Sequence, residues 1–352
     1  MADPQNPQPT PDPKNPRGLP FAANVRIKVG GGRVFVAGDR LINSSRIKLP
    51  NEVEAVDPTR LLADGTYPVV GVGYVSNSQM NTYARCHRLW WYEYGGERRR
   101  MPRLAIKMWH GSAVHTGLEV AGEAELAGKR LPLEDVLKVY DKEFGREVQG
   151  YEKAVVESKK EGMTALPELE FPERINSFED YRRLGQEVLA MGVKEIIHKV
   201  KILTVEEAIV GHLDVHSGGE IPFVGLSDLE EEDPVDGPVI MDYKTGRKRT
   251  HEDFDKDDQL TLYSILKKNP HVGWYSLVMG TTGGQTPKRA KPPELVKLRA
   301  KKTIKDQERL VDDFNFHLEG IKAGNFARTG KMNSQICAPN LCQYYAECLG
   351  KK

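Results

Sequence analysis

The stretch Pro238-Val239-Ile240-Met241-Asp242-Tyr243-Lys244-Thr245-Gly246 reads as an apolar strand that runs into charged residues and closes on a glycine. Side chains two positions apart on a strand share a face, so Asp242 and Lys244 project together while Met241 and Tyr243 turn away. Acid-x-Lys spacing alone is common, since Asp12-Pro13-Lys14 and Glu157-Ser158-Lys159 occur in the same chain without a strand around them. The weight comes from the preceding run, Ile209-Val210-Gly211-His212-Leu213-Asp214-Val215, which carries another acid at its end. If the two strands are neighbours, Asp214 and Asp242 meet in the oxygen-rich kind of site that hard cations such as Mg²⁺ prefer. Lys244 then orients a water or stabilises charge developing on phosphorus.

Further residues extend this constellation. His115 and Glu119 lie four apart in Gly111-Ser112-Ala113-Val114-His115-Thr116-Gly117-Leu118-Glu119, on one face of an expected helix, and His115 is a candidate third ligand. A lone helical histidine is ordinarily a satisfied core or surface residue, and only the two acids change that weighting. Gln259 and Tyr263 form another such pair, by themselves no more than a helix face.

The chain has 352 residues, which suggests two domains or one large domain with appendages. With 51 Lys+Arg against 50 Asp+Glu the net charge is +1, so any electrostatic partner must be read from local patches. No apolar run is long enough to span a membrane, and no export signal is recognisable at the start, so a cytoplasmic, non-membrane setting is expected. Residues 1–20 hold seven prolines among polar residues and predict a disordered tail. Residues 21–72 predict a small β-rich unit, with a hairpin about Gly30-Gly31-Gly32. Gly71-Val72-Gly73-Tyr74-Val75-Ser76 superficially suggests a dinucleotide fingerprint but lacks its third glycine. Instead Ser76 or Ser78 is an N-cap candidate for a helix through Tyr94. Amphipathic helices follow over 133–160 and 178–200, then strands, a helix near 258–267, a strand near 273–279, and a basic loop from Arg289 that grades into a last helix. The layout is one mixed α/β domain over 73–352.

The ordered set of Gly111 to Glu119, Gly211-x-x-Asp214, Asp242-Tyr243-Lys244-Thr245-Gly246 and Gln259-x-x-x-Tyr263 resembles the RecB-like branch of the PD-(D/E)XK nuclease superfamily. The resemblance covers roughly residues 76–348. It implies a restriction-endonuclease-like core, a mixed sheet flanked by helices. It also implies that His115, Asp214, Asp242 and the carbonyl of Tyr243 hold a catalytic Mg²⁺ or Mn²⁺. Lys244 then assists the water, Gln259 and Tyr263 lie beside DNA, and Glu119 supports.

The cysteines extend the resemblance. Cys337, Cys342 and Cys348 lie near the C-terminus and Cys86 far upstream, a split that disfavours a local zinc finger. The arrangement is similar to that of iron–sulfur nucleases of the AddB and CRISPR-associated RecB-like type, which implies a [4Fe–4S] cluster on all four. The gap from Cys337 to Cys342 is wider than the family's usual spacing. Such a cluster closes a very long loop and restricts the unfolded chain.

Arg85 and Arg88, with Arg98, Arg99, Arg100, Arg103 and Lys107, stand near Trp90, Trp91 and Tyr92, a combination suited to single-stranded nucleic acid. A second basic block spans 288–305. Residues 217–237, carrying Asp228, Glu230, Glu231, Glu232, Asp233 and Asp236, read as a long acidic insertion between two strands. The expectation is therefore a metal-dependent DNA exonuclease for single-stranded or end-bearing DNA in recombination, repair or replication. No Walker A motif occurs, so a helicase or a recombination or replication protein would be a separate partner. The rival readings are a non-catalytic nucleic-acid-binding subunit on the same fold, a structure-specific endonuclease, and a zinc-stabilised interaction protein.

Overall fold

The computed structural model describes residues 25–29, 32–36, 53–55, 76–94, 106–160, 177–214, 220–281, 290–328, 337, 342 and 344–349. The expected tail over 1–20 and the arginines at 98–103 lie outside these residues. In chain order the elements are β1 (Val25–Val29), β2 (Gly32–Val36), β3 (Val53–Ala55), α1 (Asn77–Arg85), α2 (His87–Tyr94), α3 (Ile106–Leu126), α4 (Leu133–Lys160) and α5 (Phe178–Gly192). There follow β4 (Lys201–Asp214), β5 (Glu220–Asp233), β6 (Gly237–Gly246), α6 (His251–Asp255), α7 (Asp258–Leu266), β7 (His271–Val278), β8 (Glu294–Lys301), α8 (Ile304–Lys322) and α9 (Tyr345–Cys348). None of the described helices is long and apolar enough to cross a membrane. The chain divides into two compact units, one of Met1–Met101, Ala208–Leu226 and Ile304–Lys351, the other of Pro102–Glu207 and Ser227–Thr303.

In the first unit β1 pairs antiparallel with β2 and, on its other edge, with β3. The Ser76 hydroxyl caps α1 by accepting the Gln79 N–H at 3.3 Å. The single helix expected through Tyr94 is broken at Cys86, which is extended (φ −164°, ψ 116°). Aromatic packing holds this unit: Trp90 stacks on Phe326 at 5.6 Å, Phe223 on Phe314 at 5.3 Å, and the Tyr83 hydroxyl donates to the Asn325 carbonyl at 2.9 Å.

Strands β4 to β8 form a five-stranded sheet of order β4-β5-β6-β7-β8, of which the second unit holds β4 as far as Glu207, β5 from Ser227, and all of β6, β7 and β8. The β5–β6 and β7–β8 pairs are antiparallel and the β6–β7 pair is parallel, so the sheet is mixed as expected. A parallel pair needs a crossover, which α6 and α7 supply. Alternation along β6 separates two environments. Met241 and Tyr243 join the core formed by Val114, Leu118, Leu184, Val188 and Leu277, while Asp242 and Lys244 face Gln259 of α7. Helix α3 approaches β6 closely because position 111 has no side chain: a Cβ there would stand 3.0 Å from the Thr245 hydroxyl oxygen. At the end of β6, Gly246 takes φ +106°, a conformation unfavourable for any other residue.

Three local readings change. The stretches 202–205 and 208–216, read from their apolar residues as separate strands, are continuous over Lys201–Asp214 as the single strand β4, which pivots at Glu206 (φ 45°). The basic segment after Arg289 holds the strand β8, whose lysines suit an edge position. Most of the stretch read as an acidic insertion is β5. Its acids are matched by distant partners: buried Glu231 receives the Tyr275 hydroxyl at 2.5 Å and Lys297 at 2.8 Å and also pairs with Arg299, while Lys267 bridges Glu230 and Glu207 at 2.6 Å each.

Candidate active site

The order of the sheet overturns one expectation. β4, which ends in Asp214, is separated from β6 by β5, so the strands of Asp214 and Asp242 are not neighbours. The strand beside β6 carries its own Gly225-Leu226-Ser227-Asp228, and the register Leu229↔Met241 puts Asp228 opposite Asp242 one step further on. There the Asp228 carboxylate, rather than a ladder carbonyl, accepts the Tyr243 N–H at 2.6 Å. Its other oxygen lies 3.3 Å from His115 Nδ1. Asp228 therefore stands where Asp214 was expected, and the His115 ring in turn meets Tyr243 edge-on at 5.7 Å. Glu119 is half-buried one helical turn beyond His115.

On β6, Asp242 is 2% exposed and meets the Lys244 ammonium at 2.6 Å. Gln259 ties the pair together: its amide nitrogen donates to Asp242 at 2.9 Å and to the Tyr263 hydroxyl at 2.8 Å, and its amide oxygen accepts from Lys244 at 3.0 Å. Gln259 can reach because α7 starts immediately beneath the pair, capped by Asp257, which accepts the Leu260 N–H at 2.8 Å. Lys244 also lies 5.5 Å from the Trp274 ring centre. Of the two residues expected beside DNA, Tyr263 is 3% exposed and Gln259 is half-buried.

Burial and mutual repulsion set the protonation of this centre. Burial is the largest influence on Asp242 and, with Asp228 and Asp257 adding and Lys244 opposing, pushes its pKa up to about 7. Asp228 is also buried, which acts to raise its pKa, but His115 and the Tyr243 N–H outweigh burial and hold it below the ordinary carboxylate value. Burial works against the charge on Lys244, yet the surrounding acids Asp242, Asp257 and Asp228 keep its pKa above that of a free lysine.

Glu206, which the sequence reading passed over, joins this centre: ligand atoms of His115, Glu206 and Asp228 lie within 4.8 Å of one another. Two carboxylates and an imidazole form a hard donor set suited to Mg²⁺ or Mn²⁺. The signal for Asp228 was present in the second Gly-x-x-Asp, joined to β6 by a turn of only residues 234–236. Nothing comparable marked Glu206.

The cysteines belong to the first unit. Cys86 packs with Leu89 and Tyr344, and Cys342 lies against that group. Burial, then Cys348, Cys86 and Cys337, push the Cys342 thiol up, so all four residues are electrostatic neighbours. Among the described residues no three of their sulfurs come within 4.8 Å of one another. Arg88 acts on the Cys348 thiol, and Arg85 is exposed on α1.

A mixed sheet flanked by helices, with two acids and a lysine gathered on adjoining strands, is the architecture of a restriction-endonuclease-like α/β protein. The family model of the PD-(D/E)XK nuclease superfamily matches residues 74–348, and the chain belongs to that superfamily. Its members are hydrolytic nucleases that use divalent metals. Among solved structures, a provisionally assigned exonuclease of Eubacterium rectale aligns over 72% of this chain and 83% of its own, with 12% identity and a TM-score of 0.40. SSO0001 aligns over 49% and 79%, with 13% identity and a TM-score of 0.30. No curated protein matches the sequence.

Proposed function

We propose that the protein is a metal-dependent deoxyribonuclease of the RecB-like type that degrades single-stranded or end-bearing DNA as an exonuclease, in recombination, repair or replication. The observation that carries this reading is the pair of contact sets side by side on adjoining strands, His115 with Asp228 and Asp242 with Lys244 and Gln259. His115, Asp228, Asp242 and the Tyr243 carbonyl are the groups that would hold Mg²⁺ or Mn²⁺. When bound, the cation polarises the phosphodiester and lowers the pKa of a water. Lys244, fixed by Asp242 and Gln259, presents its ammonium to orient that water or offset charge on phosphorus. Gln259 and Tyr263 position this pair, and Glu119 supports His115 on α3. Exposed Arg85 and half-buried Arg88 supply positive charge for DNA phosphates.

The reading includes a [4Fe–4S] cluster on Cys86, Cys337, Cys342 and Cys348. Its support is that the four cysteines influence one another and that α1 and α2 break at Cys86.

The test is degradation of end-labelled single- and double-stranded DNA with Mg²⁺ or Mn²⁺, comparing wild type with Lys244→Ala and Asp228→Asn. Progressive loss from an end, abolished by both changes, is expected. Activity retained by both variants overturns the assignment. Iron content and visible absorbance of anaerobically purified protein check the cluster, and colourless, iron-free, folded protein refutes it.

A further inference from the structure

We infer that Glu206 is a cation ligand of this centre, forming with His115 and Asp228 a seat that holds a divalent metal without needing Asp242. The inference rests on the nuclease reading above and deepens it.

The geometry separates the acids into two sets. One Asp242 oxygen accepts from the Gln259 amide, and the other lies 2.6 Å from the Lys244 ammonium. The mutually close donor atoms are instead those of His115, Glu206 and Asp228, all within 4.8 Å. One cation at the roughly 2.0–2.4 Å bond lengths of Mg²⁺ or Mn²⁺ can reach donors at such separations. These three come from three different elements, α3, β4 and β5, so no local turn explains their convergence. Glu206 and Asp228 are 8% and 6% exposed, and burying two carboxylates side by side is costly unless positive charge compensates them. Glu206 also holds a left-handed backbone inside a strand, φ 45°, where a non-glycine residue is strained. At this position the Glu206 carboxylate lies beside the donor atoms of His115 and Asp228.

Two carboxylates and one imidazole on the cation leave room for water and phosphate oxygens, as an octahedral ion requires. Glu206 would then serve to hold the cation in the free protein, where Asp242 is engaged by Lys244 and Gln259.

The experiment is Mn²⁺ titration of the full chain without DNA, followed by electron paramagnetic resonance, on wild type, Glu206→Gln and Asp242→Asn, with thermal unfolding of each in chelator. Glu206→Gln should bind Mn²⁺ at least about tenfold more weakly, the lower end of what even an outer-shell partner of a ligand contributes. Asp242→Asn should lose less than Glu206→Gln does. In chelator Glu206→Gln should melt no lower than wild type, because the change removes a buried charge without removing volume. Wild-type affinity in Glu206→Gln overturns the inference and leaves the nuclease reading intact, as does a lowered melting temperature with unchanged affinity, which marks a structural role. Absence of Mn²⁺ binding by wild type overturns both.

Discussion

Strands β4 and β5 carry the same four-residue signature, Gly211-His212-Leu213-Asp214 and Gly225-Leu226-Ser227-Asp228, and only the second borders β6. Local chemistry does not separate them. What does is the order of the sheet, which puts Asp228 opposite Asp242 on the adjoining strand, whereas β4 lies one strand further off and reaches the centre through Glu206. A motif of this kind acquires meaning from the strand beside it, and a short turn to the lysine-bearing strand is a better guide than the apolar run ahead of the acid.

The largest expected effect breaks this comparison if it fails. Asp228→Asn should lower nuclease activity by roughly a hundredfold or more, the scale of losing a group that stabilises developing charge. Asp214→Asn should stay within about threefold of wild type. Equal losses, measured as initial rates on one DNA substrate, would remove the distinction between the two strands. Next in size, Gln259→Ala should reduce the rate about 10- to 100-fold, as expected for a partner that orients active groups, with folded protein recovered in normal yield.

A pH series sharpens the account at Asp242. Its pKa is raised from the ordinary 3.8 to about 7, so between those values the native state binds the extra proton and the unfolded state does not. The contribution of this group to stability is therefore greatest below the unfolded value and falls as pH rises towards about 7. In chelator, Asp242→Asn should match wild type near pH 4 and melt higher near pH 8. An unchanged difference across the range would contradict the burial argument. The smallest effect concerns α3: Gly111→Ala places a Cβ 3.0 Å from the Thr245 hydroxyl, so a shift of a few tenths of an ångström at His115 should cost a few-fold in activity. Wild-type kinetics in this variant would show that α3 need not approach β6 so closely.

Much of the site was legible because its signals are local. The i, i+2 parity of Asp242 and Lys244, the four-residue spacing of Gln259 and Tyr263, and the glycine one turn before His115 each follow from the period of a single element. Asp228 was hidden by its surroundings. The run Glu230-Glu231-Glu232-Asp233 reads as a solvated loop until Lys267, Tyr275, Lys297 and Arg299 are brought beside it from further along the chain. Glu206 was hidden by a backbone turn that periodicity does not register. Cys86 was placed within a helix because the flanking residues favour one, whereas tertiary packing against Tyr344 accompanies an extended residue there.

Anomalous scattering from Mn²⁺ bound to crystals of the protein tests the central claim most directly. The account predicts a peak about 2.0–2.4 Å from Asp228 oxygen, with His115 and Glu206 among its neighbours. A peak coordinated by Asp214, with Asp228 outside its shell, would contradict it.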